Sequence, residues 1–266
     1  MEKPGPTPGS GPSINSGPPE PRAALWALFA GNFVIGTGIL LPAGMLNDLS
    51  AGLSVTAATA GLLLLTSGVV IGFGAPVFAT LTSTIDRRLL LAASMALYVF
   101  GHALSAFAPD FTVLLILRAL TVVSAGIFTP QAAACVGLIV RPERRAACVA
   151  FIFIGWSVSS VAGVPCGSLI GAWIGWRAAF GLMALLSLIA MVFVWYTIPG
   201  GLRSERLSSA AWRDVLTNPV LLCVLLVTLA SASGQFALFS YLAPFFKATM
   251  ALSPSSFAIL LALVGA

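Results

Sequence analysis

The sequence predicts an all-α protein whose helices cross a membrane several times, and three observations carry that prediction. Of the 266 residues, 59% are hydrophobic and only 8% are charged, where a soluble domain carries roughly 25% charged residues. Mean hydropathy is +1.03. Apolar residues also come in runs of about twenty, the length a helix needs to span a hydrocarbon core. A soluble domain of this size leaves about a quarter of its chain's surface exposed, and so few polar side chains cannot cover it. Strands are excluded as spanning elements, because an open sheet edge in lipid leaves backbone groups unpaired, and the runs are evenly apolar, without the alternation of a barrel strand.

Seven complete spans follow, at roughly 24–46, 56–80, 89–108, 112–139, 147–172, 177–198 and 219–246. An eighth begins near Ser255 and stops at Ala266, too short to cross, so the chain reads as truncated. Residues 1–23 are rich in Pro and Gly, with nothing to bury, and read as a disordered tail without the basic-then-apolar order of a cleaved signal. Residues 199–218 form a polar linker that divides a six-helix bundle (24–198) from the start of a second bundle (219–266). Lys3, Arg22, Arg87, Arg88, Arg141, Arg144, Arg145, Arg203, Arg206 and Arg213 fall on one side of this topology, and only Arg177 and Lys247 on the other. The positive-inside rule then places the N-terminus in the cytoplasm. Basic residues scattered through short loops do not make a nucleic-acid face.

Two features stand out from the apolar background. In the fifth span Gly163, Gly167, Gly171 and Gly175 recur every four residues and stack as a smooth strip. Pro165 within that strip loosens or kinks the helix. Such a strip permits close helix approach, as ordinary packing or as a hinge or seal between moving bundles. The second feature is Arg118, the one basic residue deep in a span. A charge at that depth costs at least ~2.5 kcal/mol on insertion scales and marks function by default, unless the side chain snorkels to the surface. Asn32, Gln131, Gln235, Phe239 and Tyr241 are the polar or aromatic residues inside spans that suit either a ligand cavity or helix–helix contact. His102, the only histidine, lies toward the end of the third span and has no metal-ligand companion. It is a packing residue or a proton carrier.

Several of these segments resemble the major facilitator superfamily. Gly155, Gly163-Val164-Pro165-Cys166-Gly167 and Gly171 are similar to the antiporter motif of its exporters, with one residue between Gly163 and Pro165 where the common form has Gly-Pro adjacent. That variant, and Gly175-Trp176-Arg177-Ala178-Ala179-Phe180 after it, resemble the drug and sugar efflux branch. Asp86-Arg87-Arg88-Leu89-Leu90 is similar to the end of the family's cytoplasmic loop motif, without its loop glycine. Arg118 with Gly126 resembles the helix-four motif, and the stretch from Gly234 to Pro244 resembles helix seven. The resemblance covers about residues 24–266 and implies a secondary transporter that rocks two bundles about a midplane cavity.

On that resemblance Asp86, Arg87 and Arg88 latch one conformation, Arg118 lies near a proton-coupling site, and the helix-five glycines with Pro165 pack the moving interface. Many relatives carry an acid in helix one, where this chain has Ile39. The implied partners are membrane lipid, a small-molecule substrate and protons, in a bacterial inner membrane. No enzyme, cofactor or metal is indicated: the spans offer no paired carboxylates, and the Gly-rich stretches form no phosphate loop. Efflux of a neutral or cationic drug-like compound is the first reading. Sugar or metabolite transport by the same fold, or a fragment with little activity of its own, are the alternatives, and the oligomeric state is open.

Overall fold

The computed structural model describes residues 21–203, 209–249 and 253–265. The expected tail up to residue 20, and Glu205 and Arg206 in the linker, lie outside the described residues. In chain order the helices are α1 (Arg22–Gly44), α2 (Leu46–Gly52), α3 (Ala57–Leu81), α4 (Arg87–Ala106), α5 (Phe111–Ile139), α6 (Arg145–Val158), α7 (Val164–Trp173), α8 (Trp176–Thr197), α9 (Ser209–Thr217), α10 (Pro219–Thr249) and α11 (Pro254–Gly265). A 3₁₀ turn at Pro142–Arg144 leads into α6, and a π-helical turn at Ser159–Gly163 joins α6 to α7. Among the described residues there is no strand. Among the described residues, seven helical segments are long and apolar enough to cross a membrane.

Local chemistry sets the boundaries. Thr56, Asp86 and Asp110 each precede an apolar run, and each side chain accepts the backbone N–H three residues on, at 3.1, 3.2 and 2.9 Å. These are N-caps, worth typically about 1 kcal/mol each. Gly175 starts α8 with φ +116°, a conformation that favours glycine. Two helices were not anticipated. The first span ends at Gly44 and continues as the short α2, and the polar linker contains α9.

Prolines shape the interior. A proline removes the N–H that would bond the carbonyl four residues earlier, and its ring crowds that carbonyl. In α1, α3 and α5 the position four residues before the proline is a glycine: Gly38 before Pro42, Gly72 before Pro76, Gly126 before Pro130. In the fifth span Pro165 strips Val161 of its partner, and the helix widens into the π-helical turn just ahead of it.

The span α1 lies at the centre of the first six spans. Leu28, Ile35, Ile39, Leu41 and Met45 are all essentially inaccessible. It packs against α6, α7 and α8, while α4 packs on α5 and α8, and α3 on α5. The α11 helix reaches this bundle through Leu261 against Leu40 and Val164. Outward-facing positions stay apolar, as at Phe73 and Phe107, each about four-fifths exposed. An apolar exterior of this extent is at home in lipid.

The glycine strip meets α1. A Cβ on Gly155 would stand 2.6 Å from the Phe29 carbonyl oxygen and 2.9 Å from the Phe33 nitrogen. Cβ atoms on Gly163, Gly167 and Gly171 would run into Thr37, Leu41 and Met45 in turn. The strip packs closely on α1, and α7 and the π-helical turn also meet α11. Gly175, the fourth glycine of the repeat, has left the helix and faces open space.

Candidate functional site

The site grows out of Pro42. With no N–H at that position, Pro42 cannot give the Gly38 carbonyl the usual helical donor four residues on. Arg118 supplies one: its Nη1 donates to the Gly38 oxygen at 2.8 Å and its Nη2 to the Ile39 oxygen at 2.8 Å, while Nε donates to the Ser67 hydroxyl at 3.2 Å. The planar guanidinium fork suits this two-carbonyl grip in a way an ammonium would not. Arg118 is 1% exposed and is turned into the bundle, so it does not snorkel. Among the described residues none of its hydrogen bonds goes to a carboxylate. Ile39 stands where the family resemblance places an acid, and it contributes its backbone oxygen. The same turn of α1 receives Tyr98 from α4, whose hydroxyl donates to the Ile35 oxygen at 3.1 Å.

One residue further on, Leu40 faces a cavity of about 320 Å³. Trp156, Ser157 and Ser160 of the fifth span and Gln235 and Phe236 of α10 also line it, and among the described residues its lining has no charged side chain. Gln235, anticipated as a cavity residue, is therefore on the cavity wall. Phe239 and Tyr241 belong to α10, but their side chains lie outside the described residues. Asn32 and Gln131 are held elsewhere. The Asn32 amide donates to the Ile152 oxygen at 3.2 Å and accepts from Thr129 at 3.1 Å, tying α1 to α5 and α6. Gln131 accepts from Arg87 and donates to Thr82 at 3.3 Å. Each amide thus serves a helix–helix contact, the second of the two uses a buried amide in a span can have.

The Asp86, Arg87 and Arg88 group lies at the opposite end of the bundle from Asp48 and Asp110. Asp86 caps α4 and also accepts the Gly201 N–H. The Arg87 N–H donates to the Leu202 oxygen at 2.9 Å, and its guanidinium reaches Ser83 and Gln131. The Arg88 guanidinium lies over the Trp195 ring, 4.4 Å from its centroid. These partners belong to the first six spans and the opening of the linker at 199–203. In this arrangement the group clasps the linker to α4, and none of the contacts named here reaches α10 or α11. At the other end Arg177 donates to the Ala108 oxygen at 3.0 Å and covers the Trp176 ring.

Sequence reasoning did not find Ser67, Tyr98 or Pro42. The Gly38–Pro42 spacing was the available signal, since it announces a carbonyl in need of a donor.

Comparison with known proteins gives a consistent picture. The family model described as Major Facilitator Superfamily matches residues 28–266. The chain is 33% identical over 241 residues to the inner membrane transport protein YdhP of Escherichia coli K12, covering 91% of this chain and 62% of that protein. It is 32% identical over 248 residues to a chloramphenicol resistance protein of Streptomyces lividans, covering 91% and 63%. It is 28% identical over 234 residues to a probable sugar efflux transporter of Helicobacter pylori J99, covering 88% and 60%. The chain thus spans about three fifths of the length of these relatives. Among solved structures, a bacterial homologue of the human lysosomal transporter Spinster, inward-facing and unoccupied, superposes with a TM-score of 0.73 at 18% identity, over 94% of this chain and 60% of that one. A D-xylose–proton symporter gives 0.69 at 16% identity, over 92% and 65%. At such identities the likeness is one of fold.

Proposed function

The chain belongs to the major facilitator superfamily, and from that premise we propose that it forms the first bundle, and the opening of the second, of a proton-driven exporter of small neutral organic molecules. It is a multi-pass membrane protein with relatives among efflux transporters. The observation that carries the finer reading is the α1 turn at Gly38–Leu40. One side of that turn holds the buried Arg118 charge and the next residue lines the uncharged cavity. A change of occupancy in the cavity is thereby one residue from the charge. Alternating access needs such a link between a substrate site and a coupling site.

Trp156, Ser157, Ser160 and Gln235 offer an indole face, hydroxyls and an amide with no net charge. This lining favours a neutral, hydrogen-bonding compound of modest size over a strong anion. Chloramphenicol, named for one relative, and a neutral monosaccharide, suggested by another, are the probes to try first. The excess of arginine at the Asp86 end supports a cytoplasmic N-terminus in a bacterial inner membrane. The chain is then organised as a six-helix bundle, a linker, and the first helices of a second bundle. The Asp86 clasp then holds the linker on the cytoplasmic side, and the glycine strip keeps α1 and the fifth span moving as one body.

The test is drug sensitivity of an efflux-deficient bacterium that expresses this chain or a version carrying a complete second bundle. We expect the two-bundle version to raise the inhibitory concentration of chloramphenicol at least about fourfold, less than 1 kcal/mol in equivalent terms, and an uncoupler to abolish the gain. Resistance that survives the uncoupler removes the proton from the reading. An unchanged response to chloramphenicol, with uptake or release of the sugar, moves the substrate to carbohydrates.

A further inference from the structure

We propose that His102 is the group that binds and releases the coupling proton, an inference that rests on the proton-driven reading above. The ring is 1% exposed, and among the described residues neither Nδ1 nor Nε2 has a hydrogen-bond partner. A neutral imidazole carries one donor and one acceptor, and burying both unpaired is costly, so an orphaned pair in a native core asks for an explanation. His102 is wedged between Tyr98, edge-on at 4.4 Å between centroids, and Phe180, stacked at 5.8 Å. Its Nε2 faces the Gly38 backbone so closely that a Cβ there would stand 2.7 Å away. Gly38 is also the residue whose carbonyl Arg118 holds. The one histidine of the chain thus abuts the turn that links the buried charge to the cavity.

The charges around the ring are few. On α4 there is Tyr98, committed to the Ile35 oxygen, and on α5 there is Arg118. Asp110 caps the start of α5, and Arg177 of α8 is turned onto Ala108 and Trp176. The stretch of α1 facing the ring has no ionisable side chain, and the described spans carry no Asp or Glu in their middle. An imidazolium in this arrangement would have a cation near it, no anion, and no acceptor aimed at it. The arrangement described here therefore belongs with the neutral ring, and a protonated ring favours one in which α1 and α4 part and water reaches it. A ligand that binds one of two conformations better shifts the balance toward it, and here the ligand is the proton. The step is a proton transfer alone: the basic ring nitrogen takes a proton from water on one side and returns it to water on the other. Because the parting edge is Gly38, the same movement loosens the grip of Arg118 and shifts Leu40 on the cavity wall.

Two measurements test this. His102 is the only histidine, so the imidazole ¹⁵N resonances of the intact chain in lipid nanodiscs report it without assignment. We expect the ring to be neutral at about pH 8 and to carry a proton in a growing share of molecules as the pH falls toward about 5, the range in which histidine serves as a switch. A ring that keeps neutral shifts across that range overturns the proposal, whether or not any variant folds. The second measurement compares His102→Gln and His102→Asn in the two-bundle version, with chloramphenicol as the probe. Uphill accumulation is expected to fall at least about tenfold while counterflow stays within about twofold, the split that separates coupling from binding. Variants that accumulate the probe as the wild type does overturn the proposal. Wild-type transport that ignores an uncoupler overturns the proton-driven reading instead, and so shows as a separate failure.

Discussion

Replacing Arg118 with methionine is expected to reduce transport by at least about 100-fold, the equivalent of roughly 3 kcal/mol lost from one conformation. Methionine keeps much of the side chain's bulk but removes all three donors, leaving the Gly38 oxygen with neither Arg118 nor the usual helical N–H four residues on. Hydrogen bonds from a charged group contribute about 1.5–3 kcal/mol each, and a buried carbonyl left unpaired costs a further ~1–3 kcal/mol. Lysine is expected to do little better, since one ammonium cannot fork across two carbonyls and a hydroxyl. A second change separates structure from function. Pro42→Ala restores the N–H that Gly38 lacks, so Arg118→Met with Pro42→Ala is expected to recover thermal stability without recovering transport. Recovery of both would mean that Arg118 is only a helix-repair device.

Gly155→Val is expected to prevent assembly of the bundle, at a cost of about 3 kcal/mol or more, the upper range for forcing extra atoms into a packed core. The obstacles are the Phe29 carbonyl oxygen and the Phe33 nitrogen, and backbone in the middle of α1 cannot step aside as a side-chain tip can. Gly163, Gly167 and Gly171 face side chains, so alanine at those positions is expected to cost less, in proportion to how far Thr37, Leu41 and Met45 can turn. Gly137 and Gly181 serve as controls. Nothing lies within 4 Å of a Cβ there, and alanine is expected to leave stability unchanged or raise it by up to about 1 kcal/mol. Size-exclusion profiles and thermal unfolding in detergent read all of these. A monodisperse, normally stable Gly155→Val protein would contradict the packing described for α1 and α6.

The helices were legible because span length is a physical threshold: about twenty apolar residues either occur in a run or they do not. The short α2 was invisible to that criterion, since seven residues after Gly44 look like an extension of the first span. Arg118 was legible for the opposite reason, as a lone charge in an apolar run, yet its partners were not. Two of the three are backbone carbonyls, which leave no trace in side-chain chemistry except through Pro42. Asn32 and Gln131 show the limit of reading polar residues singly. An amide in a span suits a ligand or a neighbouring helix equally well, and the bonds to Ile152, Thr129 and Arg87 needed the folded chain to be seen. The glycine strip announced a close approach but could not say to what. The clasp at Asp86 depended on Gly201 and Leu202, more than a hundred residues away, folding back onto the start of α4.

On the proposed function, a proton gradient and an uncharged substrate are coupled through the α1 turn between Arg118 and the cavity. The most direct test uses proteoliposomes holding the two-bundle version, loaded with chloramphenicol, with and without an imposed pH gradient. With the pH gradient present the compound is expected to move against its own gradient, an uncoupler to collapse that movement, and Arg118→Met to lose it. Equal flux with and without the pH gradient, in both the wild type and Arg118→Met, would contradict this coupling.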